Sequence, residues 1–85
     1  MIHACTANTD LDELIGRETH DGPQRQFAYG PLAMAMKQDE ELVLENSAAL
    51  SLFMRAKLGA LINDLFIGDT AETLHAGTGF RVVLR

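Results

Sequence analysis

At 85 residues the chain is long enough for one small domain, residues 1–85, with a modest core. An apolar fraction of 47% and a charged fraction of 22% exclude an extended disordered polymer. The net charge of −5, with Arg17, Arg25, Lys37, Arg55, Lys57, Arg81 and Arg85 scattered along the chain, argues against nucleic acid or an anionic membrane as partner, since phosphate contacts require clustered Lys and Arg.

Cys5 is the one cysteine, so no disulfide forms within the chain, which fits a reducing compartment. Met1 to Thr6 has neither the charged nor the apolar region of a signal peptide, and no apolar run reaches membrane-spanning length. The cytoplasm is the expected location.

Ile2 to Ala7 reads as a short strand. Thr9-Asp10 offers cap chemistry for a helix with Asp12 and Glu13 in its first turn, Leu11, Leu14 and Ile15 on one face, and Gly16 at its end. Residues 17–29 read as a hairpin around the Asp21-Gly22-Pro23 turn, with Phe27 and Tyr29 on one side. Pro31 suits the first position of the next helix, where its missing N–H costs nothing, and Leu32, Ala35 and Met36 give that helix its apolar face before Lys37-Gln38 closes it.

Asp39-Glu40-Glu41 reads as a solvated acidic loop. Leu42-Val43-Leu44 is too short for a buried helix and is bounded by polar residues, which predicts a central strand. Asn46 or Ser47 then caps the longest predicted helix, residues 48–64, along which Leu50, Met54, Leu58, Leu61 and Leu65 form a stripe. Residues 65–76 read as a second hairpin turning at Gly68-Asp69-Thr70. Gly77-Thr78-Gly79 is a loop and Phe80 to Leu84 a last strand. The resulting expectation is a small α/β domain of two or three layers: a short parallel three-stranded sheet, two to three helices and two hairpin insertions. Strands separated by helices pair in parallel through right-handed crossovers.

The stretch Leu42-Val43-Leu44-Glu45-Asn46 places two polar side chains at the C-terminal end of the central strand, the position at which open α/β sheets bind ligands. Three roles are open to Glu45 and Asn46: a helix-capping pair, a weak metal or nucleotide contact, or a partner contact. His3, His20 and His75 show no metal-ligand spacing, and with one cysteine they make no zinc site, so they read as surface or half-buried histidines. Cys5 reads as a small buried hydrophobe with no basic neighbour to lower its pKa. Met34, Met36 and Met54 read as core fillers. Gly77 and Gly79, without a lysine, are no phosphate loop.

Several short motifs carry a family resemblance. Asp10-Leu11, Leu14-Ile15-Gly16-Arg17, Asp21-Gly22, Phe27, Gly30-Pro31-Leu32 and Ala35-Met36 resemble the middle of an AAA+ ATPase domain of the MoxR- and CbbQ-like branch, related to dynein-type modules. The resemblance runs from about Ala4 to Leu84. Counted without a gap from Gly30, the Walker B Asp of that family falls on Glu45 and its catalytic Glu on Asn46, a degenerate pair. The apolar helix falls on Leu50 to Ile62, and Gly79 to Val83 looks like the strand leading to sensor 1. ATP and magnesium are implied by the resemblance alone, with Glu45 and Asn46 as the positions that would contact them.

The departures from the family weigh against catalysis. No Gly-x-x-x-x-Gly-Lys-Ser/Thr occurs, so nothing corresponds to the P-loop that cradles phosphates. An amide at Asn46 cannot act as the general base for water. Neither a sensor polar residue nor an arginine finger follows Arg85 in this sequence. The expectation is a non-catalytic AAA+-like module with no catalytic residue, no resident metal and no bound cofactor. It would act through protein contact: self-association or a partner protein at the edge strand Phe80 to Leu84, or a full-length AAA+ ATPase. The alternatives are an ATPase component completed by another chain, and a truncated gene product without selected function.

Overall fold

A computed structural model describes the backbone of residues 1–85 and every side chain except that of Asp21. The chain folds as a small α/β structure around a three-stranded parallel sheet. β1 (Ile2–Ala4) leads to α1 (Leu11–Ile15), then to a hairpin of β2 (Gly16–Asp21) and β3 (Gln24–Tyr29). α2 (Pro31–Gln38) leads into β4 (Glu41–Glu45). A 3₁₀ turn (Ser47–Ala49) and α3 (Leu52–Leu61) precede a second hairpin, β5 (Asp64–Ile67) and β6 (Glu72–His75), and β7 (Arg81–Leu84) ends the sheet. The strand order is β1-β4-β7, so Leu42-Val43-Leu44 is central, as its composition predicts.

The local chemistry follows the residues. Asp10 caps α1, its carboxylate accepting from the Glu13 N–H at 2.8 Å. Gly16 turns the chain from helix to strand at φ 128°, and a Cβ there would lie 2.4 Å from the Ala28 carbonyl oxygen. Both the conformation and the close approach therefore require glycine. Pro31 opens α2, which closes on Asp39 in the left-handed conformation.

Two expected elements change. The strand read over Ile2 to Ala7 stops at Ala4, ahead of a turn at Ala7-Asn8. The predicted helix 48–64, capped at Asn46 or Ser47, is two pieces. Leu50 is extended at ψ 139°, and Ser51 caps α3 by accepting from the Met54 N–H at 3.1 Å. Ser and Asn are comparable cap residues, but Ser51 makes the cap bond while Asn46 makes none, its Nδ2 donating to the Cys5 carbonyl. Met54 and Leu58 of the predicted stripe are buried on α3, whereas Leu65 is buried from β5.

The crossovers β1→β4 and β4→β7 advance in the same direction across the sheet. Right-handed connections of that kind place their helices on the same face. The core agrees: Leu14, Leu32, Ala35, Met36, Met54 and Leu58 from the helices join Cys5, Leu42, Leu44 and Val82 from the sheet in one cluster. Val43 is outside that cluster although only 5% exposed. It sits on the other face, in register with Ile2 and Val83. Among the described residues no helix is long and apolar enough to cross a membrane.

Candidate functional site

The C-terminal end of the sheet brings together Cys5 after β1, Glu45 and Asn46 after β4, and Arg85 after β7. Asn46 takes the left-handed conformation at φ 58° and ψ 38°, which asparagine tolerates better than most side chains. Its Nδ2 donates to the Cys5 carbonyl at 3.1 Å. The Glu45 carbonyl accepts from the Cys5 N–H at 2.8 Å. The Ser47 N–H donates to the Arg85 carbonyl at 2.8 Å, and the Arg55 guanidinium donates to the Ser47 carbonyl at 3.0 Å. These bonds tie the three strand ends and the start of α3 to one another.

The Glu45 side chain is exposed. The two positions singled out from sequence thus lie side by side but differ in role. Glu45 contributes backbone to the ladder and leaves its carboxylate in solvent, while Asn46 spends its amide on the backbone of the neighbouring strand. The capping role expected of Asn46 is replaced by a strand-to-strand tie. The Asn46 carboxamide is already engaged, and among the described residues no group of three or more His, Cys, Asp or Glu side chains is placed to hold a metal ion.

A second polar cluster flanks β1. Glu13 of α1 accepts from the Thr9 hydroxyl at 3.0 Å and meets His3 Nε2 at 2.8 Å. Thr9 is only 5% exposed, and its hydroxyl oxygen also accepts from the Thr6 N–H at 2.8 Å. The bond to His3, with that to Thr9 behind it, holds the Glu13 carboxyl below the ordinary carboxylate range. Burial, and after it the nearby Glu13 charge, push the Cys5 thiol up, and its side chain packs in the core.

Spacing along the chain gives no sign that His3 and Glu13 meet. The β1-to-α1 crossover brings them together, and the signal available in sequence was only that a residue in the first turn of α1 can fold back over its own strand. His75 similarly meets Asp64 at 2.6 Å across the second hairpin, and His20 lies 4.0 Å from Glu18 on the first.

Other ties hold the hairpins and the loop before β7. The Tyr29 hydroxyl donates to Glu72, and Lys37 sits 3.7 Å from the same carboxylate and 4.0 Å over the Tyr29 ring. β3, α2 and β6 meet there. The Tyr29 bond, chiefly, lowers the Glu72 pKa. Asp39 is not simply solvated, as its acidic neighbours suggest: its Oδ1 accepts from the Gly79 N–H at 3.0 Å, latching the loop ahead of β7. Glu41 belongs to β4 and pairs with Arg81 across the sheet.

Compared with known families and with curated proteins, the chain matches no family model and no curated protein.

The Arg85 N–H donates to Leu44 and the Arg85 carbonyl accepts from Ser47, so both of its backbone groups point to β4. Alternation along a strand then turns those of Val82 and Leu84 outward. Beside them is a groove of about 160 Å³ lined by Arg55, Leu58, Gly59, Ile62, Val82 and Leu84.

Proposed function

We propose that the chain is a non-catalytic module of AAA+-like type that works through protein contact at the β7 edge. The observation that carries the proposal is the engagement of Asn46. At the position where a general base would stand there is an amide, bonded to the Cys5 carbonyl and unable to take a proton from water. Glu45 alone offers one exposed carboxylate on a longer arm than aspartate. The open backbone groups of Val82 and Leu84 supply what the strand end lacks, a surface with unsatisfied bonding capacity.

The second proposal is an ATP-binding component completed by another chain, for which the exposed Glu45 carboxylate is the supporting feature. The two proposals separate in a phosphate-release assay with magnesium and ATP. The interaction module gives no turnover above the buffer blank, and Glu45→Ala leaves the trace unchanged. Turnover by the chain that Glu45→Ala abolishes would replace the first proposal with the second.

A further inference from the structure

Resting on the β7-edge proposal, the geometry points to the occupant of that edge: an extended segment of a partner protein whose residues alternate apolar and acidic. A strand added to β7 hydrogen-bonds to the outward backbone groups of Val82 and Leu84. Its side chains then alternate between the two faces of the sheet. On the helical face they meet the groove formed by Leu58, Ile62, Val82 and Leu84, whose floor is left open at Gly59, where a Cβ would find nothing within 4 Å. That face selects apolar side chains.

On the opposite face the neighbouring positions of β7 are Arg81, Val83 and Arg85; Arg81 is paired with Glu41 of β4, Arg85 makes no ion pair among the described residues, and Arg55 lines the groove itself. Three of the seven basic residues of a chain with net charge −5 are thus gathered along this edge. Cross-strand pairing favours an acidic residue opposite Arg85 first, and a second one sharing Arg81 with Glu41. A second copy of the chain fits less well, because its β7 would bring two more arginines to the same face.

The test uses a fluorescent peptide of about seven residues that alternates valine with glutamate, and a control in which lysine replaces each glutamate. The valine-glutamate peptide is expected to bind, about tenfold or more tighter than the lysine control. Amide hydrogen exchange at Val82 and Leu84 is expected to slow on binding. Gly59→Leu, which projects a side chain into open space, is expected to keep the fold and melting temperature and to lose at least about tenfold in peptide affinity.

Equal binding of the lysine peptide, unchanged binding by Gly59→Leu, or no binding up to about 1 mM would overturn the acidic-strand occupant. If, instead, sedimentation shows a dimer that protects the same two amides, the occupant is a second copy, and only the broader β7-edge proposal survives. Fast exchange at Val82 and Leu84 under all these conditions, with neither peptide nor dimer, would overturn both.

Discussion

The two edges of the sheet carry the same kind of backbone and differ in what lies beside it. β1 bonds to β4 through Met1 and Cys5, which leaves Ile2 and Ala4 turned outward, as Val82 and Leu84 are on β7. A strand added to β1 would set its helical-face side chains near His3, Glu13 and Thr9, a polar cluster holding an ionised carboxylate. One added to β7 would meet Leu58, Ile62 and Val82. β1 is also only three residues long, and a short edge next to charge is a common protection against unwanted pairing. The difference teaches that an open edge is suited to contact only where its flanking side chains reward burial. The polar strand end formed by Glu45 and Asn46 serves instead to hold the two edges to the central strand.

The harshest way to break this comparison is to remove what both edges share. Leu44 is fully buried in β4 between them. Leu44→Ala is expected to cost about 2–5 kcal/mol, enough to unfold much of so small a chain at room temperature, read by circular dichroism during thermal melting. Asn46→Ala should act mainly on the β1 side. It removes the bond to Cys5 and places alanine in the left-handed region, for a cost of about 1–3 kcal/mol. Hydrogen exchange should then quicken at Cys5 while Val83 and Arg85 keep their protection; equal loss at both edges would contradict an edge-specific tie.

Glu13→Gln sharpens the comparison through pH. The Glu13 carboxyl is depressed in the folded state, so its ionised form stabilises the fold above the ordinary carboxylate pKa, about 4.3, and that contribution is lost as pH falls through the depressed folded value. Its exposure and solvent screening limit the effect to about 1 kcal/mol or less. The variant should lose stability near neutrality and show a shallower decline between about pH 5 and pH 3, measured by urea unfolding at each pH. Glu45→Ala, at the smallest end, should change stability by no more than about 0.5 kcal/mol, because its carboxylate stands in solvent.

Much of this architecture is legible in the residues because local chemistry and long-range packing agree. Pro31 fixes a helix start, the Asp21-Gly22-Pro23 and Gly68-Asp69-Thr70 clusters mark hairpin turns, and an apolar triplet bounded by charges is too short for a buried helix and reads as a central strand. Where the signals compete, the outcome is hidden. Leu50 fits the helical stripe, yet it is extended and the helix restarts at Ser51, a cap residue no stronger by type than Asn46 or Ser47. Asp39 looks like one of three solvated acids until the fold brings Gly79 against it. The His3–Glu13 and Tyr29–Glu72 pairs join residues distant in sequence through packing, and no periodicity encodes them. At the candidate site the sequence placed Glu45 and Asn46 at the right strand end. The division of labour between them depends on the left-handed turn at Asn46, which only the backbone displays.

In the proposed reading this strand end holds the fold together and contact takes place at β7. Titration of the chain with magnesium and ATP, followed by amide chemical shifts, tests it most directly. The account predicts no saturable change at Glu45, Asn46 or Ser47. A saturable shift at those amides would contradict it and assign the strand end to nucleotide binding.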